Sequence, residues 1–573
     1  MCGFVGGTDP AWDFSRALDA IAHRGPDDGQ LLQGEHVSLG FRRLAIIDLN
    51  AAANQPMRDT AGNVCLVFNG EVYGFRHIRK ELEGLGCVFR THSDTEVVLQ
   101  AYLTWGETFV ERIDGMFAIA IWDAGQKIIR LFRDRTGIKP LYYFHDGRHF
   151  GFASELKALE AAIPGSLLQV DGTALYDFLG YRYVPAPKTL YRNVFKLEPG
   201  HSVEFDVSAN RLSKPKSFWR LDPSIDRPIS LPEACEELRS LIDTSVREQL
   251  VADVPVGFFL SGGVDSSVVV TSASLQGADV QTFSIGFDSD TVSETPFARR
   301  VAEQFGTRHV ERILSRNDAL QLLPKLKEWF DEPFADESAM PTWLVCATAR
   351  EHVTVVLTGD GGDEVFGGYR TYPRFERYER WPSWPGAMES LSWRLRARSH
   401  RRSARSRLLQ LLEMGFSSGP GLWARIMSGM PTPAKAAYRE RLEIPDDYED
   451  WWHFAAHWRA DLPLRTRLQY VDFHTFMPGL VLTKVDRTSM AVSLEARVPL
   501  LDRRIVEFAF SLPEHIRLPQ GSPKGLLREA YRGILPDDIL DRRKKGFGIP
   551  RYYLGNLGEG VPIQEHVLKT LFL

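Results

Sequence analysis

Short apolar runs separated by polar turn residues fill the first 205 residues, a pattern that predicts a strand-rich fold. Two longer segments, Ile78–Leu85 and Thr95–Leu103, have helical spacing, and Ser93-Asp94 precedes the second as a candidate helix cap. Many strands with few helices predict layered β-sheets with helices outside them. The runs predicted as strands are Val37–Phe41, Val64–Asn69, Gly115–Trp122, Ile128–Arg133, Leu141–Phe144 and Phe150–Ser154.

The pattern changes between residues 206 and 232. This stretch lacks periodicity and holds four prolines, so we predict a linker between a first domain, 1–205, and a second domain, 233–573. A helical pattern follows over Pro232–Leu250. Beyond it apolar strands alternate with helical segments, which predicts a parallel sheet with its ligand site at the carboxyl ends of the strands. The predicted elements are strands at Gln281–Phe287, His309–Ile313 and Val353–Leu357 and a helix at Glu294–Phe305.

Residues 371–470 are irregular and rich in tryptophan and arginine. Aromatic and basic side chains together can bind nucleic acid, but the net charge of the chain is −5. We therefore interpret the region as helical insertions with ordinary aromatic packing and a solvated basic face. The tryptophans are Trp381, Trp384, Trp393, Trp423, Trp451, Trp452 and Trp458, and the basic cluster is Arg394, Arg396, Arg398, Arg401, Arg402, Arg405 and Arg407.

Composition narrows the class of protein. A chain of 573 residues with 44% hydrophobic and 25% charged residues is expected to form two or more soluble domains. A pI near 6.3 favours neither nucleic acid nor a membrane as partner. Five cysteines without metal spacing favour a reducing compartment. Without a signal peptide or an apolar span, we predict a cytoplasmic location and small-molecule substrates. A homodimer is the candidate assembly, which the sequence leaves undecided.

The first candidate for chemistry is Cys2, at the head of the run Cys2–Gly7. If Met1 is removed, Cys2 carries a thiol and a free α-amine on one residue. The ordinary pKa of such an amine is about 7.7–8.0, so the amine can accept the thiol proton. The alternative is a small buried cysteine in the first strand.

Polar residues also stand where predicted strands give way to loops. Asn69-Gly70 ends one strand, and a hairpin turn is one interpretation of this pair. In the other interpretation, the Asn amide and the Gly N–H stabilise a developing oxyanion. Arg43 and Asp94 carry the charges that would hold the carboxylate and the ammonium of an amino-acid substrate.

Two glycine loops in the second half follow apolar strands and precede helices. Ser261-Gly262-Gly263-Val264-Asp265-Ser266 has the layout of a phosphate-cradling loop but lacks the Gly-Lys-Ser/Thr ending of a Walker loop. The second loop, Thr358–Glu364, contributes Asp360 and Asp363. Asp265 and Asp363 are the candidate Mg²⁺ ligands, because this hard cation prefers carboxylate and phosphate oxygens. The alternatives are a plain strand–helix turn and helix capping.

The first half resembles the N-terminal-nucleophile glutaminase domain of class II glutamine amidotransferases. The resemblance rests on an ordered set of motifs: Cys2-Gly3, His23–Asp27, Arg43-Leu44, Phe68–Tyr73, Ser93–Glu96 and Arg133–Tyr142. It implies that Cys2 attacks the glutamine amide and that Asn69 and Gly70 form the oxyanion hole. It implies a glutamine pocket formed by Arg43, Leu44, Ile47, Asn69, Gly70, Glu71 and Asp94.

The second half resembles the ATP-pyrophosphatase synthetase domain of glutamine-dependent asparagine synthetases. The motifs are the two glycine loops, Leu482–Met490, Ser493–Asp502, Pro523–Arg528 and Arg543–Pro550. The resemblance implies ATP and Mg²⁺ as cofactors, and Lys524 and Asp360 as catalytic residues. The implied ATP-binding residues are Leu260, Ser261, Gly262, Gly263, Asp265, Ser266, Ile285, Thr358 and Gly359.

Together the resemblances imply an α+β αββα sandwich followed by an α/β parallel-sheet domain with helical insertions. They imply that glutamine-derived ammonia passes through an internal tunnel to β-aspartyl-AMP and yields asparagine. Asp360 departs from the glutamate often found at its position, so an amidotransferase with another acceptor, such as a sugar acid or a natural-product intermediate, stays open. A non-enzymatic relative is disfavoured by the intact Cys2, Asn69, Asp265, Asp363 and Lys524.

Overall fold

The structure is a computed structural model. It describes residues 2–223, 227–288, 293–380, 414–428, 430, 432–542 and 548–550, with single residues 553, 564 and 567. Trp381, Trp384, Trp393 and the basic cluster of residues 394–407 lie outside the described residues. So do residues 543–547 of the last predicted motif.

The first strand, β1, lies inside an antiparallel six-stranded sheet of order β10-β8-β9-β1-β3-β2. It pairs with β3 on one side and β9 on the other, and all five of its residues are buried. The strands of this sheet are β1 (Gly3–Gly7), β2 (Asp28–Gln33), β3 (Ser38–Arg43), β8 (Tyr142–His145), β9 (Phe150–Ala153) and β10 (Val194–Lys196).

A second antiparallel sheet packs against the first. Its order is β12-β11-β7-β6-β5-β4, with β13 paired to β11. Strands β12 and β13 fall within the predicted linker 206–232, so the early part of that stretch extends the sheet. The strands are β4 (Met57–Arg58), β5 (Val64–Tyr73), β6 (Asp114–Asp123), β7 (Ile128–Arg133), β11 (His201–Asp206), β12 (Arg211–Leu212) and β13 (Lys216–Ser217).

Alternation along the strands creates the layers, since neighbouring side chains point to opposite faces. Phe4 packs between the two sheets, whereas Val5 packs under helices α1 and α5. In β5, Val67 faces the other sheet while Phe68 faces α2 and α3. The predicted αββα sandwich is therefore confirmed. Its helices are α1 (Phe14–Ala20), α2 (Phe75–Gly84), α3 (Asp94–Trp105), α4 (Phe109–Arg112) and α5 (Leu156–Ala162). The next helix, α6 (Gly172–Tyr181), packs against residues of the second half.

The second half contains the predicted parallel sheet. Its order is β16-β15-β14-β17-β18, and every pairing is parallel. In β17, Val355 packs on one face of the sheet and Val356 on the other, so both faces are covered. The strands are β14 (Val256–Phe259), β15 (Gln281–Phe287), β16 (Arg308–Leu314), β17 (Val355–Leu357) and β18 (Glu495–Arg497).

Helices cover this sheet and form the insertions predicted after residue 370. Ordinary aromatic packing is confirmed for Trp423, which is fully buried, stacks on Tyr372 and donates to Asp472. The helices are α7 (Leu231–Gln249), α8 (Val264–Leu275), α9 (Thr295–Gln304), α10 (Arg316–Leu322), α11 (Leu326–Trp329), α12 (Ala339–Arg350), α13 (Gly362–Phe366), α14 (Thr371–Glu379), α15 (Gly419–Ser428), α16 (Thr432–Ala436), α17 (Trp452–Ala456), α18 (Leu464–His474), α19 (Thr483–Met490), α20 (Arg503–Ser511), α21 (Glu514–Arg517), α22 (Gly525–Ala530) and α23 (Asp537–Leu540). Every helix that the structure describes is too short or too polar to cross a membrane.

Candidate active sites

Cys2 directly precedes β1, so the strand hydrogen bonds of a central strand hold its backbone. The residue is 9% exposed, and its N–H donates to Asn69 Oδ1 at 2.9 Å. Its thiol donates to the carbonyl of Leu44 at 3.8 Å. Burial raises the pKa of the Cys2 thiol. The thiol is therefore protonated at neutral pH and needs a base before it can attack a carbonyl.

Arg24 fixes the backbone carbonyl of Cys2 from a fully buried position. Its Nε donates to that carbonyl at 3.0 Å, and its Nη1 donates to Glu155 at 2.6 Å. The same guanidinium binds both oxygens of Asp486, at 2.9 and 3.1 Å. Burial acts to lower the pKa of Arg24, but Asp486 and Glu155 raise it above its ordinary value, so the cluster is ionised. Because Asp486 lies on α19, the second half of the chain helps to position the candidate nucleophile.

Asn69 and Gly70 lie in the middle of β5, so the hairpin interpretation is wrong. Asn69 is fully buried, and its Nδ2 has no hydrogen-bond partner among the described residues. Such an unsatisfied donor is costly unless a ligand or intermediate accepts from it. A Cβ added at Gly70 would lie 2.0 Å from the Met116 carbonyl oxygen, so the backbone approach of β6 requires glycine there. An amide donor beside Cys2 fits an oxyanion hole.

Arg43 was expected to hold a substrate carboxylate, but its terminal nitrogens tie together the loop that follows β3. They donate to the carbonyls of Asn50 and Asp48 at 3.0 and 2.5 Å and to Asn54 Oδ1 at 2.5 Å. A further contact reaches the Ile47 carbonyl at 3.4 Å. The substrate-binding role of Arg43 stays a prediction. Leu44 is buried and Ile47 is half-buried beside this loop.

The same loop is anchored on the second half of the chain. Asp253 accepts from the Asp48 N–H at 2.7 Å, and its own N–H donates to the Ile46 carbonyl at 2.8 Å. Asp48 also accepts from the His92 N–H at 2.7 Å. The loop conformation therefore depends on contacts from both halves.

Asp94, predicted to hold a substrate ammonium, and Glu71, predicted in the glutamine pocket, are buried close to each other. Asp94 accepts from the Val72 N–H at 3.0 Å, and burial raises its pKa to about 6. Burial, with Glu495 and Asp94 nearby, raises the pKa of Glu71 well above its ordinary value. Arg497 lies 3.3 Å from Glu71 and 2.6 Å from Glu495. This concentration of acids suits a cationic group on the substrate.

Arg497 connects the two candidate sites. Its side chain reaches Glu71, while its backbone carbonyl accepts from the Thr358 N–H at 2.9 Å, at the start of the second glycine loop. Its Nη1 donates to the carbonyls of Gln249 and Val251 at 2.7 and 2.8 Å. One buried arginine therefore contacts elements of both sites.

The first glycine loop lies between β14 and α8, at the carboxyl edge of the sheet. Ser266 Oγ accepts from the Ser261 N–H at 3.2 Å and lies 3.1 Å from Ser261 Oγ. Gly262 has φ +68°, and a Cβ there would lie 2.6 Å from the Ala298 nitrogen. A Cβ added at Gly359 would lie equally close, 2.6 Å, to the Ser266 nitrogen, so the two glycine loops are in contact. Leu260, Ile285 and Thr358 are buried around them, whereas Gly263 N–H donates to Ser261 Oγ at 3.3 Å.

Lys524 brings the two candidate metal ligands together. Its Nζ contacts Asp265 and lies 2.6 Å from Asp363. Burial acts to lower the pKa of Lys524, but the two carboxylates raise it, so the ammonium is charged. A Cβ at Gly368 would lie 1.9 Å from Asp363 Oδ1 and 2.2 Å from Lys524 Cε, so glycine keeps this cradle open.

This carboxylate pair fits a divalent cation that is shared with phosphate oxygens. No group of three or more histidine, cysteine or acidic residues suited to a metal occurs in the part of the chain that the structure describes. Asp265 and Asp363 would therefore supply two ligands and leave the others to phosphate and water, the usual arrangement for Mg²⁺.

Asp360 lies in the second glycine loop, where its N–H donates to Thr358 Oγ1 at 3.3 Å. Two further acidic residues, Asp331 and Glu332, have basic partners. Asp331 pairs with Arg487 at 3.1 Å, and Glu332 with Lys196 at 2.6 Å. Lys196 belongs to β10, so Glu332 joins the second half of the chain to the first.

Sequence reasoning assigned no role to Asp253, Asp486 or Arg497. The last two lie inside motifs that carried the resemblance. A signal was present, because charged residues stand among the apolar residues of Leu482–Met490 and Glu495–Leu501. Sequence does not reveal their partners, which lie hundreds of residues away.

Comparisons with known proteins match the two halves of the chain to two different family models. The Asparagine synthase family model matches residues 237–565, and the Glutamine amidotransferase domain model matches residues 1–219. Asparagine synthetase [glutamine-hydrolyzing] 1 of Bacillus subtilis is 35% identical over 97% of this chain and 88% of its own length. Asparagine synthetase [glutamine-hydrolyzing] 3 of the same organism is 31% identical over 100% of this chain and 90% of its own.

Weaker similarities extend to proteins with other names. Amidase chry2 of Gibberella zeae is 26% identical over 94% of this chain and 85% of its own length. A glutamine phosphoribosylpyrophosphate amidotransferase structure from B. subtilis aligns at 18% identity, covering 49% of this chain and 65% of that one, with a TM-score of only 0.29. The sequence matches along nearly the whole chain decide the assignment: the chain belongs to the glutamine-hydrolysing asparagine synthetase family of ATP-dependent ligases.

Proposed function

We propose that this chain is a glutamine-dependent asparagine synthetase. Glutamine is hydrolysed at Cys2, and the released ammonia reaches an ATP-activated aspartate. The products are asparagine, glutamate, AMP and pyrophosphate. The observation that carries the proposal is helix α19, which reaches both candidate sites. Its Asp486 contacts the Arg24 that holds Cys2, and the chain continues from α19 into β18, which pairs with β17 just before the second glycine loop.

In the glutaminase half, removal of Met1 would leave the Cys2 amine beside the side-chain oxygen Oδ1 of Asn69. The amine takes the thiol proton as Sγ attacks the glutamine amide carbon. Asn69 Nδ2 and the Gly70 N–H stabilise the oxyanion. The proton returns to the leaving nitrogen, ammonia departs, and water hydrolyses the thioester to glutamate. Arg43 holds the substrate carboxylate, Glu71 and Asp94 bind its ammonium, and Leu44 and Ile47 line the pocket.

In the synthetase half, a carboxylate oxygen of the acceptor attacks the α-phosphorus of ATP and pyrophosphate leaves. The nucleotide is surrounded by residues of the two glycine loops and the strands beside them: Leu260, Ser261, Gly262, Gly263, Ser266, Ile285, Thr358 and Gly359. A bound Mg²⁺, held by Asp265 and Asp363, would neutralise phosphate charge. Lys524 contributes a buried ammonium beside the phosphates. Ammonia then attacks the acyl carbon near Asp360, and AMP leaves.

An internal path for ammonia follows from its chemistry, because ammonia released into water near pH 7 is mostly protonated and no longer nucleophilic. The buried contacts between the two halves support such a path. Arg24 with Asp486, Glu155 with Arg487, and Glu71 with Arg497 all pair residues across this interface at 2.8 to 3.3 Å.

A second candidate is an amidotransferase of the same mechanism with another carboxylate acceptor. Asp360, one methylene shorter than glutamate, favours this alternative because it changes the reach of the carboxylate toward the acyl group. A relative named as an amidase shares 26% identity.

The test is the mass of the amidated product. The purified chain is incubated with ATP, Mg²⁺, amide-labelled glutamine and either aspartate or one of a panel of carboxylates, and pyrophosphate release is followed. We expect labelled asparagine and aspartate-dependent pyrophosphate. Glutamate release without amidation of aspartate, together with amidation of another carboxylate, would select the second candidate.

A further inference from the structure

A cavity of about 360 Å³ lies between the two halves of the chain. The first half lines it with the end of β7, with β10 and with the start of β11. The second half lines it with α17, α18 and the loop Phe330–Phe334. None of the described residues predicted to bind glutamine or ATP takes part in this lining. A volume of this size suits a small organic ligand, so the cavity is a candidate binding site separate from the two active sites.

Three histidines, His453, His457 and His474, form a cluster in the wall of this cavity. The ring of His457 stacks on that of His474 with 5.0 Å between centroids and lies 5.8 Å from that of His453. His474 donates from Nδ1 to the Tyr470 carbonyl at 2.8 Å. The rings of His453 and His457 form no hydrogen bond with the residues that the structure describes. Because His453 is only 4% exposed, its unpartnered ring favours a ligand that supplies the missing partner.

Burial keeps the three histidines uncharged at neutral pH. It lowers the pKa of His457 to about 4, and burial with His457 nearby lowers the pKa of His474 to about 3. Burial, followed by His457 and Lys196, holds the pKa of His453 well below its ordinary value. The free cavity therefore holds imidazoles that can still take up a proton.

The charged groups that act most on this cluster are all basic. Lys196 and Lys188 act on His453, and His201, the first residue of β11, acts on His474. A histidine that became protonated here would face positive neighbours. An anion in the cavity would offset that repulsion and accept a hydrogen bond from the imidazolium.

The charges around the rest of the cavity also favour an anion. Five lysine and arginine residues line it, against three acidic residues. Two of the acids are engaged, because Asp331 pairs with Arg487 at 3.1 Å and Glu332 with Lys196 at 2.6 Å. The third is Glu198. A metal ion does not suit the cluster, since the described ranges contain no group of three or more histidine, cysteine or acidic residues arranged for one.

Aromatic side chains form the remaining walls. Phe330 and Phe334 stack with their centroids 4.0 Å apart, and both are buried. Trp219 and Phe473 lie 6.5 Å apart between centroids and also line the cavity. Flat apolar walls of this kind suit a planar ring. The lining thus combines surfaces for a ring with a cluster suited to an anionic group.

We propose that this cavity binds a small aromatic anion, with its ring against the aromatic walls and its carboxylate or phosphate group at the histidines. The histidines supply hydrogen bonds, and one of them takes up a proton when the anion binds. This site is separate from those for glutamine and ATP, and its existence does not depend on the identity of the acceptor carboxylate.

The experiment measures binding to the full chain by titration calorimetry. The probes are benzoate and phenyl phosphate, which distinguish the carboxylate from the phosphate group. Benzamide, which lacks the charge, and acetate, which lacks the ring, should each bind at least about tenfold more weakly than benzoate. Excess AMP and glutamate should not displace the probes. Displacement by either compound, absence of binding by both probes, or equal binding of benzamide would overturn the proposal.

The pH dependence tests the uptake of a proton. Benzoate keeps its charge between pH 6 and pH 8, so a change in its affinity reports the protein. A bound anion raises the pKa of the histidine that it contacts, and binding is then tighter at lower pH. We expect Kd for benzoate to be about tenfold lower at pH 6 than at pH 8, with no such change for benzamide. An affinity for benzoate that does not change with pH would overturn the proposal.

Variants of His457 separate the anion site from the fold. His457→Phe keeps an aromatic ring but loses the titrating nitrogens, so it should weaken benzoate at least about tenfold, remove the pH dependence and leave benzamide within about twofold. His457→Gln keeps hydrogen bonding and should weaken benzoate less, while the pH dependence is also lost. His77→Phe, at an exposed histidine of α2, is the matched control. Glutamine hydrolysis by each variant reports that the chain has folded. Unchanged benzoate binding by folded His457→Phe would overturn the proposal.

Discussion

The surroundings of Cys2 and those of Lys524 are built in different ways. Three features around Cys2 are each held by a residue of the other half. Asp486 binds Arg24, Asp253 binds the loop after β3, and Arg497 pairs with Glu71. All three contacts are within hydrogen-bond or ion-pair distance, and those of Asp486 and Arg497 are buried. Around Lys524, Asp265 and Asp363 come from loops of the same sheet and are 17% and 21% exposed.

This difference indicates which site depends on the assembled interface. The phosphate site draws on elements of one domain, so we expect it to keep its geometry when interface contacts are weakened. The nucleophile site is completed across the interface, so we expect it to respond first.

The largest effect is expected for Cys2→Ala. Without the nucleophile, glutamine-dependent synthesis should fall at least about 10⁴-fold, whereas synthesis from added ammonium should persist. Glutamate and pyrophosphate release measured in parallel check this. Failure of ammonium to rescue synthesis would contradict two separable sites.

Asp265→Asn should impair the synthetase reaction and leave glutamine hydrolysis intact, the reverse of the effect expected for Cys2→Ala. The loss of a carboxylate from the phosphate cradle should lower pyrophosphate release about 10³-fold and leave glutamate release within about twofold. Asp279→Asn is the matched control, because Asp279 forms an exposed pair with Arg308. Loss of both activities would indicate that Asp265 supports the fold rather than the phosphate site.

The substitution Asn69→Asp tests the role of the Asn69 amide in the oxyanion hole more specifically than Asn69→Ala does. The carboxylate can still accept from the Cys2 nitrogen but cannot donate to an oxyanion. We expect kcat for glutamine hydrolysis to fall about 10²-fold in both Asn69→Asp and Asn69→Ala, without loss of ammonium-dependent synthesis. Near-normal hydrolysis by Asn69→Asp would assign Asn69 to positioning of the amine alone.

Asp486→Asn weakens the contact through which the second half holds Arg24. We expect about a tenfold lower kcat for glutamine hydrolysis with unchanged KM, because Cys2 is displaced rather than the substrate pocket. Ammonium-dependent synthesis should change less than about twofold. Asp461→Asn, at an exposed pair with Arg459, is the control and should have no effect. Equal losses at both sites would refute the asymmetry.

The smallest effect concerns pH. Burial raises the pKa of Asp94 to about 6, so its carboxylate is ionised above that value and protonated below it. If Asp94 binds the glutamine ammonium, kcat/KM for glutamine should be about twofold lower at pH 6 than well above it, and fall about tenfold per unit below. Asp94→Asn should remove this inflection from the pH profile of glutamate release. An unchanged profile would exclude Asp94 as the titrating group.

Local pattern predicted several of the longer strands and helices. The strands at 128–133 and 281–287 match their predicted limits, and Ser93 caps α3 through the Glu96 N–H as expected. The β5 strand was cut short at Asn69, because Asn-Gly favours a turn locally while pairing with β6 carries the strand on to Tyr73. The sequence pattern did not predict strands β12 and β13, because two residues are too few to show an alternation of apolar and polar side chains.

The sequence by itself determined the chemistry and its order along the chain. It supplied a thiol at position 2, glycine loops that leave room for phosphate, and a lysine at 524. Tertiary structure alone decided which charges meet. Arg24 and Asp486 are 462 residues apart in the sequence. A local spacing pattern carries no information about which residues pair over such a separation. Burial then makes these pairings decisive, because an unmatched charge at that interface would be costly.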